Sequence, residues 1–102
     1  MRVKLRVLNT SLKGLQFETD KEVVSVGRSP DSDLSLRQLS VSRDHAVIRN
    51  QDGTVTVEDA GSRNKTEVDG EAVFAKTPLR DGSIVSFGDV AVEVSLPDLV
   101  PA

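Results

Sequence analysis

Apolar and polar residues alternate along most of this chain in short runs. Val3, Leu5 and Val7 interleave with Arg2, Lys4 and Arg6, the period of two that puts one face of a strand in a core and the other in water. Similar runs are predicted as strands over residues 15–18, 22–26, 34–36, 46–49, 54–58, 66–69, 71–74 and 83–87. A last strand places Val90, Val92, Val94 and Leu96 on one side. Turn formers separate the runs. Asn50-Gln51-Asp52-Gly53 signals a hairpin, and Asp69-Gly70, Asp81-Gly82 and Gly88-Asp89 mark further reversals. No window shows a helical stripe. Many short strands with Gly- and Asp-containing turns imply an all-β fold, an antiparallel β-sandwich in preference to a barrel. Val7, Val47, Val57, Ile84, Phe87 and Val92 are expected in its core.

At 102 residues the chain has room for one core. Residues 1–96 form the expected domain, and 97–102, with Pro97 and Pro101, read as a linker-like tail of a larger protein. A net charge of -3 argues against a general nucleic-acid binder, and three phenylalanines without Trp or Tyr give no platform for stacking bases. The charged, alternating N-terminus lacks the apolar block of a signal peptide, and no run approaches membrane-spanning length. Without cysteine there is no disulfide framework, thiol nucleophile or cysteine-ligated metal. These features lead us to expect a cytoplasmic domain with no nucleic-acid or membrane partner and no cofactor.

Two loops carry the candidate chemistry. Gly27-Arg28 ends the apolar run Val23, Val24, Val26 and enters the turn formers Ser29-Pro30-Asp31-Ser32. Ser42-Arg43-Asp44-His45 leads into the next run, Ala46-Val47-Ile48. A guanidinium and a hydroxyl on neighbouring loops can together receive a tetrahedral dianion, because both donate hydrogen bonds and Arg adds charge. An enzyme reading from Ser42, Asp44 and His45 fails on spacing, since a relay is built by geometry and these lie side by side next to a strand. Asp31-x-Asp33-x-Ser35 suggests a calcium loop, but Leu36 and Ser42 stand where Gly and Glu are needed. No P-loop motif occurs.

Four segments, in order, resemble the forkhead-associated (FHA) domain, a phosphothreonine-peptide-binding module. They are Gly27-Arg28, Ser42-Arg43-x-His45, Gly61-Ser62-x-Asn64, and Leu79-x-Asp81-Gly82 before a strand with Phe87-Gly88. The resemblance implies two twisted sheets of about eleven strands, with ligand loops at one end. It implies that Arg28 and Ser42 contact the phosphate, with Arg43 beside them. Asn64 would bond the peptide backbone and His45 brace the loops, while Gly27 and Gly61 shape them. The implied partner is a threonine-phosphorylated protein from a Ser/Thr kinase pathway, and the implied module is not an enzyme. A phosphate-independent interaction module of the same fold is the alternative. The chain departs from the family at Arg63 and Lys65, where Thr and Gly are common. Both cations are expected near the phosphate, Arg63 in contact with it, and a glycine-like backbone at Lys65 would be strained.

Overall fold

The Asp-Gly hairpins at Asp52-Gly53 and Asp69-Gly70 fold because both central residues take positive φ. Asp52 and Gly53 do so at 55° and 74°, which gives the turn the twist of the strands it joins. A computed structural model describes residues 2–96, and the reading of 97–102 as a linker lies outside the described residues. Eleven strands occur, with no helix among the described residues: β1 Val3–Val7, β2 Gln16–Thr19, β3 Val23–Gly27, β4 Leu34–Ser35, β5 Ala46–Gln51, β6 Thr54–Asp59, β7 Thr66–Val68, β8 Glu71–Ala72, β9 Thr77–Pro78, β10 Ile84–Phe87 and β11 Val90–Ser95. They form one sheet in the order β2-β1-β11-β10-β7-β8 and a second in the order β4-β3-β5-β6-β9. The expected two-sheet all-β architecture is therefore observed.

Two details differ from the sequence reading. Thr77–Pro78 is a strand that alternation does not reveal, because it is short and contains proline. It lies at a sheet edge beside β6, where a missing N–H can face away from the ladder. The sandwich is also not wholly antiparallel: β4 runs parallel to β3, with Val26 opposite Leu34 and Gly27 opposite Ser35. Asp33 causes this return. Its carboxylate accepts from the Ser25 N–H at 2.9 Å and the Ser25 hydroxyl at 3.1 Å, while its own N–H donates to Ser25 Oγ at 2.8 Å. The chain is thereby folded back along the strand it has just left. Lys21 pairs with the other carboxylate oxygen at 2.6 Å. That contact, with the bonds from Ser25, holds the Asp33 carboxyl below its ordinary value.

Inward positions follow the period of two. Val3, Leu5 and Val7 of β1 join Val90, Val92 and Val94 of β11 and Val85 and Phe87 of β10, facing Val24, Val26, Ile48, Val55 and Val57. Val7, Val57, Phe87 and Val92 are in the core as expected. Ile84 and Val47 are not. Ile84 is 38% exposed because Val85 and Phe87 take the inward places on β10, and Val47 is only half-buried between inward Ala46 and Ile48. Leu36 and Val41 are buried as well, which fastens the loop between β4 and β5 to the core at its start and at its middle.

Phe87→Ala is expected to cost about 3–5 kcal/mol, whereas Ile84→Thr should stay within about 0.5 kcal/mol, both measured by chemical denaturation. Comparable losses at the two positions would reject this register for β10.

Candidate functional site

The loops after β3, after β4 and after β6 meet at one end of the sandwich, and Ser42 joins all three. Its carbonyl accepts from the Arg28 N–H at 2.9 Å, its N–H donates to Nδ1 of His45 at 3.0 Å, and its Oγ accepts from the Arg63 N–H at 3.0 Å. A hydroxyl that accepts in this way keeps its own proton for a further acceptor. The half-buried side chain of Ser42 opens on a cleft of about 310 Å³ lined by Arg28, Leu39, Ser40, Val41, Ser42, Arg43, Arg63 and Asn64. The structure thus brings together every residue that the sequence reading assigned to phosphopeptide contact.

Three arginines line this cleft, and among the described residues no carboxylate does. Arg28 is half-buried, Arg43 and Arg63 are exposed, and none of the three side chains has an ion-pair partner among the described residues. Like charges gathered without counterions cost stability, so the arrangement suits an anion from outside. Asn64 is partly committed: its Nδ2 donates to the Ser40 carbonyl at 2.8 Å, leaving Oδ1 and a second N–H for other groups. The Ser40 hydroxyl in turn accepts from the Asp89 N–H at 3.0 Å.

Gly27 serves a purpose other than turning the chain. A Cβ there would lie 2.0 Å from the Arg43 carbonyl oxygen, so glycine is required for the backbone of one ligand loop to lie on the strand that ends in the other. His45 is fully buried. Its Nδ1 accepts from Ser42 and its Nε2 stands 2.9 Å from the Lys65 carbonyl, so the ring is neutral with its proton on Nε2. Its edge meets the ring of Phe87 at a centroid distance of 5.7 Å.

Lys65 has φ of 71°, so the glycine-like backbone is retained despite the side chain. Its carbonyl accepts from His45 and from the Gly88 N–H at 3.2 Å. The expectation that Lys65 adds charge beside the phosphate is corrected: it lines a neighbouring cleft with Glu58, Asp59, Val73, Phe74 and Ala75, and only Arg63 reaches the first.

The sequence reading missed Asp59, which shapes the loop from below. Its carboxylate accepts from the N–H groups of Gly61 and Ser62, both at 2.9 Å, and from the hydroxyls of Ser62 at 2.5 Å and Thr66 at 2.7 Å. Gly61 takes φ of 85° within this wrap. Burial pushes the Asp59 carboxyl up, but these bonds together outweigh it and hold the group below its ordinary value. An Asp two residues before Gly-Ser is an Asx-turn signal that could have been read. Ser40, Leu39 and Val41 gave no comparable sign.

Against known proteins, a family model described as an FHA domain matches residues 24–88. An oxoglutarate dehydrogenase inhibitor from Corynebacterium diphtheriae is 40% identical over 76 residues, covering 74% of this chain and 48% of that protein. The chain spans about half the length of the curated relatives it matches. The solved FHA domain of the CT664 protein from Chlamydia trachomatis superposes with a TM-score of 0.85 at 31% identity, covering 93% of this chain and 97% of that one. A solved FHA domain whose interactions are described as phosphothreonine-dependent superposes at 0.87 with 26% identity, covering 97% and 100%.

Two measurements probe the loop after β6. Lys65→Gly should raise stability by about 0.5–1 kcal/mol, the left-handed strain of about 1–2 kcal/mol being partly offset by added freedom of the unfolded chain. Chemical denaturation reads the sign, and a destabilised variant would reject the strain. Asp59 predicts a pH effect: a carboxyl whose folded value is depressed stabilises above its unfolded value of 3.8 and stops doing so as pH falls through the folded value. Stability should therefore drop below about pH 4, and Asp59→Asn should be less stable at neutral pH and flatter in acid. Parallel acid profiles for the two proteins would remove Asp59 from that role.

Proposed function

The chain belongs to the FHA domain family, and from that premise we propose that it binds threonine-phosphorylated segments of other proteins and performs no catalysis itself. The observation that carries the reading is the cleft with three guanidiniums that have no ion-pair partner among the described residues, beside a Ser42 hydroxyl that accepts from Arg63 and keeps its own proton to donate. A phosphothreonine brings about -1.5 to -2 charges and three acceptor oxygens, which matches that donor set. Arg28, rooted by its own N–H on the Ser42 carbonyl, supplies the charged fork, Ser42 a single hydroxyl bond, and Arg43 a further cation. The free Oδ1 and N–H of Asn64 suit an extended peptide backbone. Leu39 and Val41 give the threonine methyl an apolar wall.

Such a site reads the output of a Ser/Thr kinase, because an unphosphorylated threonine offers neither the charge nor the oxygens. The phosphate-independent alternative rested on the substitutions at Arg63 and Lys65. Lys65 keeps the left-handed backbone, which leaves that alternative with little to support it. One relative is named for inhibition of oxoglutarate dehydrogenase, and a metabolic enzyme controlled through phosphorylation-dependent binding is a setting in which this module fits.

Arg28→Ala should weaken a phosphothreonine peptide by at least about tenfold, since a charge-assisted hydrogen bond contributes roughly 1.5–3 kcal/mol. Titration calorimetry on the variant, with a thermal scan to show that it folds, tests this. Unchanged affinity on folded protein would sink the site.

A further inference from the structure

The cleft holds more positive charge than one phosphate neutralises. Arg28, Arg43 and Arg63 contribute three full charges, against about -1.5 to -2 on the phosphothreonine. Among the described residues, no acidic side chain lines the cleft to absorb the excess. Asp44, beside Arg43 in sequence, is exposed and not among the lining residues, and Asp59 is turned beneath its loop and saturated by four hydrogen bonds. The excess is local, because the chain as a whole carries -3.

Arg63 is the cation at the rim. Its backbone N–H is fixed on Ser42 Oγ at 3.0 Å, which roots the residue next to the hydroxyl, and its side chain is exposed and has no partner among the described residues. Arg28, by contrast, is half-buried on the same wall. A phosphate engaged by Arg28 and Ser42 leaves Arg63 facing whatever stands next to the phosphothreonine. We propose that Arg63 makes this domain select phosphothreonine flanked by a second anionic group, an Asp or Glu carboxylate or a second phosphate. This rests on the phosphothreonine reading and adds a sequence requirement to it. Leu39, 91% exposed on the same cleft, presents the competing possibility of an apolar neighbour.

The test uses a phosphothreonine peptide of otherwise uncharged residues. Variants carry Glu, phosphoserine or Leu, one position at a time, within about three residues on either side, the span that neighbouring side chains of an extended peptide cover. Wild type and Arg63→Thr are titrated with each peptide, and thermal scans confirm that both fold. At least one Glu or phosphoserine position should bind wild type about threefold to tenfold more tightly than the uncharged peptide at low salt. In Arg63→Thr that advantage should fall below about 1.5-fold, whatever happens to the uncharged peptide, because the cycle isolates the pair. The advantage should also shrink at about 0.5 M salt, as expected for an exposed pair.

A gain from phosphoserine alone identifies a doubly phosphorylated partner, and a gain from both identifies an acidic flank; either supports the proposal. No anionic gain at any position, an anionic gain that survives in Arg63→Thr, or Leu as the best substitution overturns it. Binding of the uncharged phosphopeptide without anionic gain rejects the second anion alone. No binding of any phosphopeptide rejects the phosphothreonine reading as well.

Discussion

The buried imidazole of His45 is the contact on which the binding end depends. One ring nitrogen takes the Ser42 N–H and the other gives its proton to the Lys65 carbonyl, so a single rigid ring fixes the separation of two loops that share no strand pairing with each other. Burying such groups without partners costs about 1–3 kcal/mol each, so the loops are held by the penalty for releasing the ring as much as by the bonds. Phe87 beneath it ties this arrangement to the core. The strained backbone at Lys65 becomes tolerable for the same reason, since its carbonyl is pinned by His45 and the Gly88 N–H together.

Close backbone approach does the rest. Gly27 admits the Arg43 carbonyl, and Gly88 admits the Ser40 carbonyl, which would lie 2.3 Å from a Cβ at that position. Ligand loops are thereby seated directly on the ends of strands, with Leu36 and Val41 buried at either side of Ser40 or Leu39. The cost of ordering the loops is met at folding and not again at binding. Charge without counterions is tolerable only on such a frame.

Elements with strict alternation and Asp-Gly turns were legible in the sequence. The gathering of Arg28, Ser42, Arg43, Arg63 and Asn64 in one cleft was implied by resemblance and by the chemistry of Arg beside a hydroxyl. What escaped was set by tertiary contacts. A two-residue strand with proline has no period to detect, and the parallel return of β4 follows from the Asp33–Ser25 exchange across eight positions. Ile84 was misplaced because its hydrophobicity outweighed its phase: it is one residue out of step with Phe87. Lys65 shows the limit most clearly. Its charge suggested a place near the phosphate, but it lines the cleft with Glu58 and Asp59 instead, and only the folded loop reveals that.

Magnitudes then separate affinity from selectivity at this site. Three charge-assisted hydrogen bonds to a phosphate contribute roughly 5–9 kcal/mol before costs. Association and peptide ordering remove an estimated 4 kcal/mol or more, whereas micromolar binding needs about 8 kcal/mol net. The phosphate alone therefore falls short. The remainder has to come from groups that meet the peptide beyond its phosphothreonine: the unused amide atoms of Asn64, the apolar side chain of Leu39, and the guanidinium of Arg63. On the proposed reading, Arg28 and Ser42 test a segment for the phosphate and the rim tests the residues beside it. Of the rim residues, Arg63 alone carries a charge, and a charge acts at longer range than an amide or a methyl group. On the proposed reading, partner choice accordingly turns on Arg63, one of the two residues by which the chain departs from its family's common pattern.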